Sequence, residues 1–333
     1  MSAVDAFVVV RNHATTLPAT LAGLAAQRLP PARVVVVDNA STDGSLAVAR
    51  EWADRLPLDL VGLPDNRGFA AAANAALRRT ASPWVLALNP DCRLEPAYLA
   101  ELIAAVGARP RVGSATGLLL RAAGAALVAT GVIDSAGMVM RASLRHLDRG
   151  SGRAPRRGLR TAARVFGASG AAALYRREAL ADVSYPGDEV FDETFFAYRE
   201  DADLAWRLQR RGWGCLFWPQ ARALHARGLK PELRRRGSDE INRHSVRNRF
   251  LLRWGNGDWR WHLACFPWWL ARDLLVAAAC LTLERGSLPG LAEALSLRTQ
   301  QRARGRSNHT RALVSSWQVA SWFLPGGRVR RLV

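Results

Sequence analysis

Short apolar runs alternate with longer helix-like patterns over the first 110 residues. Segments 6–10, 34–37, 58–63 and Trp84–Leu88 are apolar and too short for helices. Helix patterns fall at 17–27, 45–52 and 70–79, with another at 96–108 after the last strand. Strands at that spacing, separated by helices, predict right-handed βαβ units and a mostly parallel central sheet flanked by helices. Trp84–Leu88 is uninterruptedly apolar between Pro83 and Pro90, which reads as a strand buried on both faces. Pro90 has no N–H for a ladder and forces Asn89 into an extended conformation, so the strand must stop there.

The pattern loosens beyond residue 120. Segment 121–164 is rich in Arg and Gly, with sustained periodicity only at 131–140. Within it, 143–161 (SLRHLDRGSGRAPRRGLRT) is expected to be a mobile surface loop, or a lid over a binding site. Order resumes as a strand-like segment at 165–175, where Gly167 and Gly170 suggest close approach of a ligand or another backbone. A helix at 202–211 with Leu204, Ala205 and Leu208 on one face follows, then a short strand at 215–218 leading to Ala223-Leu224-His225.

From Arg227 the composition changes. Arg227, Lys230, Arg234, Arg235, Arg236, Arg243, Arg247, Arg249 and Arg253 form a basic belt, and Trp254, Trp259, Trp261, Trp268 and Trp269 crowd the next stretch. The apolar run 274–283 is flanked by Arg272-Asp273 and Glu284-Arg285, too short and too charged at its ends to span a bilayer. It reads as an in-plane amphipathic segment with a tryptophan anchor, or equally as a helical appendage packed on the preceding domain. Single-stranded nucleic acid binding also uses basic residues interleaved with aromatics.

The 333 residues suit one large α/β domain, or one with an appendage. With 47 Lys+Arg against 28 Asp+Glu the net charge is +19, carried almost wholly by arginine, since Lys230 is the only lysine. Nucleic acid, an anionic membrane surface or a diphosphate substrate would each suit that charge. Cys92, Cys215, Cys265 and Cys280 show no CxxC spacing, which fits free thiols in a reducing cytoplasm. The N-terminus has no basic region before its apolar run, so no secretory signal is expected.

Polar residues gather directly after the strands, where open α/β sheets bind ligands. Asp38 ends the second strand, where a carboxylate can accept from a ribose or a base N–H. Asp65-Asn66-Arg67-Gly68-Phe69 follows the third, with Gly68 permitting close approach and a helix N-terminus beyond it favouring an anion. Asn74 lies one turn into that helix. After the fourth strand, Asp91 would project a carboxylate able to hold a divalent cation, or simply cap the next helix. Later, Glu200-Asp201 stands at the start of a helix, where Asp201 is either an N-cap or a general base. There is no GxGxxG and no Walker A pattern.

These stretches, VVVVDNASTDGS, NRGFAAAAN and LNPD, resemble the inverting glycosyltransferase family 2 with its GT-A fold. LNPD stands where such enzymes carry an Asp-x-Asp metal motif; here Asn89 replaces the first Asp. The resemblance implies a nucleoside-diphosphate sugar bound by Arg11, Asp38, Asn66, Gly68, Asn74, Asn89 and Gly170. It implies Mg²⁺ or Mn²⁺ on Asp91 and His225, and Asp201 as base with Glu200 beside it. VIDSAGMVM and VFGASGAAALYRREAL look most like the rhamnosyltransferase branch that builds bacterial cell-wall or surface polysaccharide. That implies dTDP-rhamnose as donor, a glycan or lipid-linked glycan as acceptor, and a cytoplasmic enzyme peripheral to the inner face of the plasma membrane. The expected division is 1–225 for the catalytic domain (nucleotide part about 1–110, acceptor part about 111–225) and 226–333 for the appendage. A nucleotidyltransferase would usually show a Gly-rich loop after its first strand, where this chain has Arg11-Asn12-His13-Ala14. A nucleic-acid-binding protein would leave Asp38, Asp91 and Asp201 without a role.

Overall fold

The computed structural model describes residues 3–155, 157–227, 239–327 and 329–331. The N-terminal part runs β1 (Val4–Val10), α1 (Leu17–Ala25), β2 (Arg33–Asp38), α2 (Ser45–Arg50), β3 (Leu58–Gly62), α3 (Gly68–Leu77) and β4 (Trp84–Leu88). Then come β5 (Cys92–Leu94), α4 (Tyr98–Gly107), β6 (Val112–Ala123), β7 (Val128–Ser135), β8 (Met138–Met140), β9 (His146–Asp148) and β10 (Ala163–Val165). After these follow β11 (Ala172–Arg176), α5 (Arg177–Val183), α6 (Glu200–Arg210) and β12 (Gly214–His225). Helices α7 (Asp239–Asn256), α8 (Trp259–Thr282), α9 (Leu288–Thr310) and α10 (Ser316–Ala320), with β13 (Arg330–Arg331), complete the fold.

The main sheet has the order β3-β2-β1-β4-β11-β6-β12-β10-β13, with β5 on β12 and β7 on β6. Strands β3, β2, β1 and β4 are mutually parallel. Antiparallel β11 sits between β4 and β6, and β12 runs parallel to β6, so β6 and β12 point the same way as β4. The chain leaves β1 for β2 on one side and returns to β4 on the other. That reversal opens a crevice at the carboxyl ends of β1 and β4.

Every residue of β1 is buried. Val4, Ala6, Val8 and Val10 pack with α1 and α4, whereas Phe7 and Val9 pack with α3, α5 and α6. This two-sided burial is why the strands read as unbroken apolar runs.

Three boundaries differ from the sequence pattern. Segment 165–175 is two strands because β10 pairs with β12 while β11 pairs with β4 and β6. The segments 215–218 and 223–225 are one strand, β12, interrupted by a bulge between Phe217 and Arg222. Segment 143–161 is not a plain loop: β9 pairs with β8, and the Arg149 guanidinium lies 5.1 Å from the Phe217 ring centroid.

The C-terminal helices share a core with the catalytic part. Phe166, Ala202 and Trp206 form one apolar cluster with Leu251, Leu252, Trp261, Trp322 and Phe323. Trp206 packs 5.1 Å from Trp261 and 4.6 Å from Phe323 between ring centroids.

The expected basic belt is largely an internal ion-pair system. Arg227 pairs with Asp134 and Asp148, Arg243 and Arg247 with Glu293, and Arg249 and Arg253 with Asp273. Lys230, Arg234, Arg235 and Arg236 lie outside the described residues. Trp259, Trp261, Trp268 and Trp269 merge with the apolar run, through Pro267, into one 24-residue helix, α8, while Trp254 lies on α7. By length and composition α8 could cross a membrane, which the short run 274–283 did not suggest. Its exposed stripe includes Trp259, Leu263, Phe266, Leu274 and Leu281, while Trp261, Cys265 and Cys280 are buried. All four cysteines are free and buried.

Candidate active site

Two turns at the crevice are laced together before any ligand arrives. The Asn12 N–H donates to Ser41 Oγ (3.0 Å), and the Thr42 N–H donates back to Asn12 Oδ1 (2.8 Å). The N–H groups of His13 and Ala14 donate to Ser45 Oγ and Asp43 Oδ2, both at 2.9 Å. Arg11 is exposed at the rim of this turn. Asp38, the last residue of β2, is buried; its Oδ2 accepts from the Ser41 N–H at 3.3 Å, while Oδ1 is buried with no hydrogen-bond partner. An unmet buried acceptor costs about 1–3 kcal/mol, so Asp38 is poised for a donor from outside the chain.

Asp91 and His225 meet because β5 pairs antiparallel with β12, bringing His225 opposite Cys92. His225 Nε2 lies 3.2 Å from Asp91 Oδ1, and His225 Nδ1 lies 2.8 Å from Asp134 Oδ2. Asp134, on β7, is completely buried and is held on its other oxygen by Arg227 at 2.9 Å. Burial disfavours the imidazolium, but the Asp134 and Asp91 carboxylates outweigh it and raise His225 to about 9. Asp134 in turn is held below the usual carboxylate range: burial pushes it up, and His225, Arg227 and Arg121 overcome that.

Cis ligands of an octahedral ion at about 2.1 Å stand roughly 3 Å apart, so the Asp91–His225 pair fits a divalent cation. Its mixed carboxylate and imidazole donors suit Mn²⁺. Among the described residues no group of three His, Cys, Asp or Glu side chains could hold a metal, so the remaining positions would fall to phosphate oxygens and water. Asp134 fixes which His225 nitrogen faces Asp91, as carboxylates do behind metal-bound imidazoles.

Glu200 and Asp201 open α6. The helix begins at Glu200, its N-cap position is Arg199, and Arg199 makes no side-chain cap. Asp201 is therefore the second helical residue rather than the cap. Its carboxylate accepts the Ala202 N–H at 2.7 Å and the Gly170 N–H. Glu200 is buried, with Oε2 unpartnered; Asp201 retains access to solvent. Burial raises both, with Asp148 adding to the effect at Asp201, which reaches about 6, and Asp201 adding to it at Glu200, which reaches about 8. The pair therefore holds a proton to higher pH than isolated carboxylates would, and Asp201, the member that solvent reaches, is the one placed to exchange it.

The loop entering α6 is strained. Phe196, Tyr198 and Arg199 have φ of 63°, 70° and 73°, a region that non-glycine residues rarely adopt. Helix α7 holds it in place. The Asn248 amide donates to the carbonyls of Phe195, Ala197 and Tyr198 at 2.8–2.9 Å, and Arg247 donates to Phe195 at 2.7 Å.

Three residues expected at the donor are engaged within the chain. Both ends of the buried Asn74 amide are taken by the 190–193 segment: it donates to the Phe191 carbonyl and Glu193, and accepts from the N–H groups of Val190 and Phe191. Gly68 makes room for Phe196: a Cβ there would lie 2.5 Å from the Phe196 carbonyl oxygen, and its φ of +78° itself requires glycine. Gly170 approaches Asp201, whose Oδ2 would lie 3.1 Å from an added Cβ. Asn66 bonds Asn39 at 2.8 Å and the Gly68 N–H at 3.2 Å, tying the end of β2 to the start of α3. Asn89 is half-buried beside Asp91, its backbone N–H donating to Ala171.

Asp134, Asp148 and Arg227 were not singled out as site residues, although Asp134 lies in VIDSAGMVM. They form a charged frame running from Asp91 through His225, Asp134 and Arg227 to Asp148, whose charge acts on Asp201.

A family model described as Glycosyl transferase family 2 matches residues 5–184. An N-acetylglucosaminyl-diphospho-decaprenol L-rhamnosyltransferase of Mycobacterium tuberculosis is 30% identical over 234 residues, covering 62% of this chain and 70% of that protein. Among solved structures, the mannosyltransferase PcManGT of Pyrobaculum calidifontis, in complex with GDP-Man and Mn²⁺, aligns with a TM-score of 0.54 at 22% identity. That alignment covers 93% of this chain and 85% of the other. Residues 1–349 of S. aureus TarS, in complex with UDP-GlcNAc, align with a TM-score of 0.55 at 16% identity, over 99% of both chains. At these identities the two structures speak to the fold alone, and the fold is GT-A.

Proposed function

The chain belongs to glycosyl transferase family 2, and from that premise we propose an inverting, metal-assisted rhamnosyl transfer from dTDP-rhamnose to a lipid-diphosphate-linked cell-wall glycan. The observation that carries the mechanism is the frame linking Asp91 and His225 to the surroundings of Asp201. Asp38 Oδ1 offers its unmet acceptor to the thymine N–H. Asp91 and His225 would hold the divalent ion, which when bound offsets charge collecting on the departing diphosphate. Asp201 takes the proton from the acceptor hydroxyl as its oxygen attacks the anomeric carbon and the bond to the diphosphate oxygen breaks on the opposite face. The choice of rhamnose, and of a lipid-linked acceptor, follows the mycobacterial relative.

The membrane reading now rests on α8 rather than on the belt. Asp273 in the middle of α8 is bound by Arg249 and Arg253, and Trp261 is fully buried. Crossing a bilayer would strip these from their partners, whereas lying in the interface leaves them intact and wets only the exposed stripe with lipid. On this reading the enzyme works at the inner face of the plasma membrane, with α8 in the interface.

A thermal-shift series checks the donor. With Mn²⁺ present, dTDP-rhamnose is expected to raise the melting temperature more than UDP- or GDP-sugars, since a ligand at 100 times its Kd stabilises by about 2.7 kcal/mol. A larger shift with a UDP- or GDP-sugar would reassign the donor and leave the reaction class standing.

A further inference from the structure

We propose that a cavity between α7, α8 and α9 binds the phosphate headgroup of an anionic membrane lipid. It encloses about 520 Å³ and shares no lining residue with the candidate active site. Arg302 and Arg306 extend into it from α9; both are exposed, and neither forms an ion pair among the described residues. No carboxylate lines it. A third arginine on the wall, Arg253, already has its charge answered by Asp273.

The aromatic content sets this cavity apart from an ordinary basic patch. Trp254, Trp259 and Trp269 line it, along with His262 and His309. Both imidazoles are held below their ordinary value by burial first; Arg253 and Arg302 act in the same direction on His262, and Arg210 on His309, against the Asp258 carboxylate. A phosphate there can be met by two guanidinium forks, the geometry arginine supplies best.

The position favours a lipid over a free anion. Trp259 lines the cavity and is also 68% exposed, at the head of the stripe continued by Leu263 and Phe266. A headgroup seated between Arg302 and Arg306 would let its acyl chains run out along that stripe. Tryptophan at the boundary between a cationic site and an apolar face is the composition of a membrane interface. The inference rests on the reading of α8 as a surface helix of the bilayer, and its test keeps the two apart.

The test is co-sedimentation of the full chain with phosphatidylcholine vesicles and with equimolar phosphatidylcholine–phosphatidylglycerol vesicles. Each arginine near an anionic surface contributes about fivefold to binding. The Arg302→Gln/Arg306→Gln variant should therefore bind the anionic vesicles about 25-fold more weakly, or worse. An Arg272→Gln/Arg285→Gln control removes two exposed arginines at α8 that do not line the cavity. It should lose clearly less, and an equal loss in both would overturn the site in favour of general surface charge. Short-chain dihexanoyl phosphatidylglycerol should quench tryptophan fluorescence saturably in the wild type and the control, but not in the cavity variant. The same saturation by inorganic phosphate would overturn the lipid assignment. Wild-type protein that binds neither vesicle removes the membrane reading and this site together. Anionic binding lost only on Leu263→Ser/Phe266→Ser, and untouched by the cavity variant, removes this site alone.

Discussion

Asp201→Asn is expected to slow sugar transfer by roughly 10²–10⁴-fold, the usual contribution of a positioned general base, with fold and donor affinity nearly unchanged. The substitution keeps an oxygen able to accept from the Ala202 N–H and removes only the basicity. Because burial lifts Asp201 to about 6, wild-type turnover should fall as pH drops through that value, where the base becomes protonated. The variant should lack that acid limb. Steady-state kinetics across pH check both statements. If Glu200→Gln is inactive and Asp201→Asn transfers normally, the base is Glu200. If neither slows transfer, the acidic pair at the start of α6 is not catalytic.

Asp91→Ala should abolish divalent-metal-dependent donor binding and lower transfer by more than about 100-fold. The proposed ion would be held by Asp91 and His225, and among the described residues no third His, Cys, Asp or Glu is grouped with them to substitute. Asp134→Asn should be milder, within the roughly 10–100-fold typical of groups that orient a metal-bound histidine. Calorimetric titration of Mn²⁺ with nucleoside diphosphate present measures the first effect directly. Full activity of Asp91→Ala in the presence of a chelator would reject the assignment.

The nucleotide-side strands were legible because both their faces are buried, which leaves an apolar run with a polar residue where it ends. Trp84–Leu88 is the plainest case: Pro90 marks the stop, and the chain does turn there. Asp38, Asp91 and Asp201 were legible for the same reason, as polar residues at element ends. The frame around them was not. Asp134 reaches His225 across 91 residues of sequence and Arg227 reaches Asp148 across 79, through pairings of β6, β7 and β12 that no local pattern announces.

Distance in the chain also hid the internal partners of other residues. Asn74 looked like a ligand at a helix start, but its partners at Phe191 and Glu193 lie 117 and 119 residues away. Gly68 is small because of a neighbour 128 positions further on, Phe196. The belt looked solvent-facing because Asp273 and Glu293 stand far from the arginines they neutralise. The end of the catalytic part was read at residue 225, where composition shifts. Asn248 and Arg247 grip the loop leading into Asp201, so the helices beyond that point brace the candidate site.

The reaction proposed is a single displacement from a nucleoside-diphosphate sugar, in the crevice between Asp38, Asp91 and Asp201. The measurement that meets it most directly is proton NMR of the transfer itself, with purified protein, dTDP-rhamnose, Mn²⁺ and a short-chain lipid-diphosphate N-acetylglucosamine acceptor. The expected result is release of dTDP together with a product whose anomeric configuration is opposite to that of the donor. A product that retains the donor configuration, or folded protein that consumes none of a full set of nucleoside-diphosphate sugars, would contradict it.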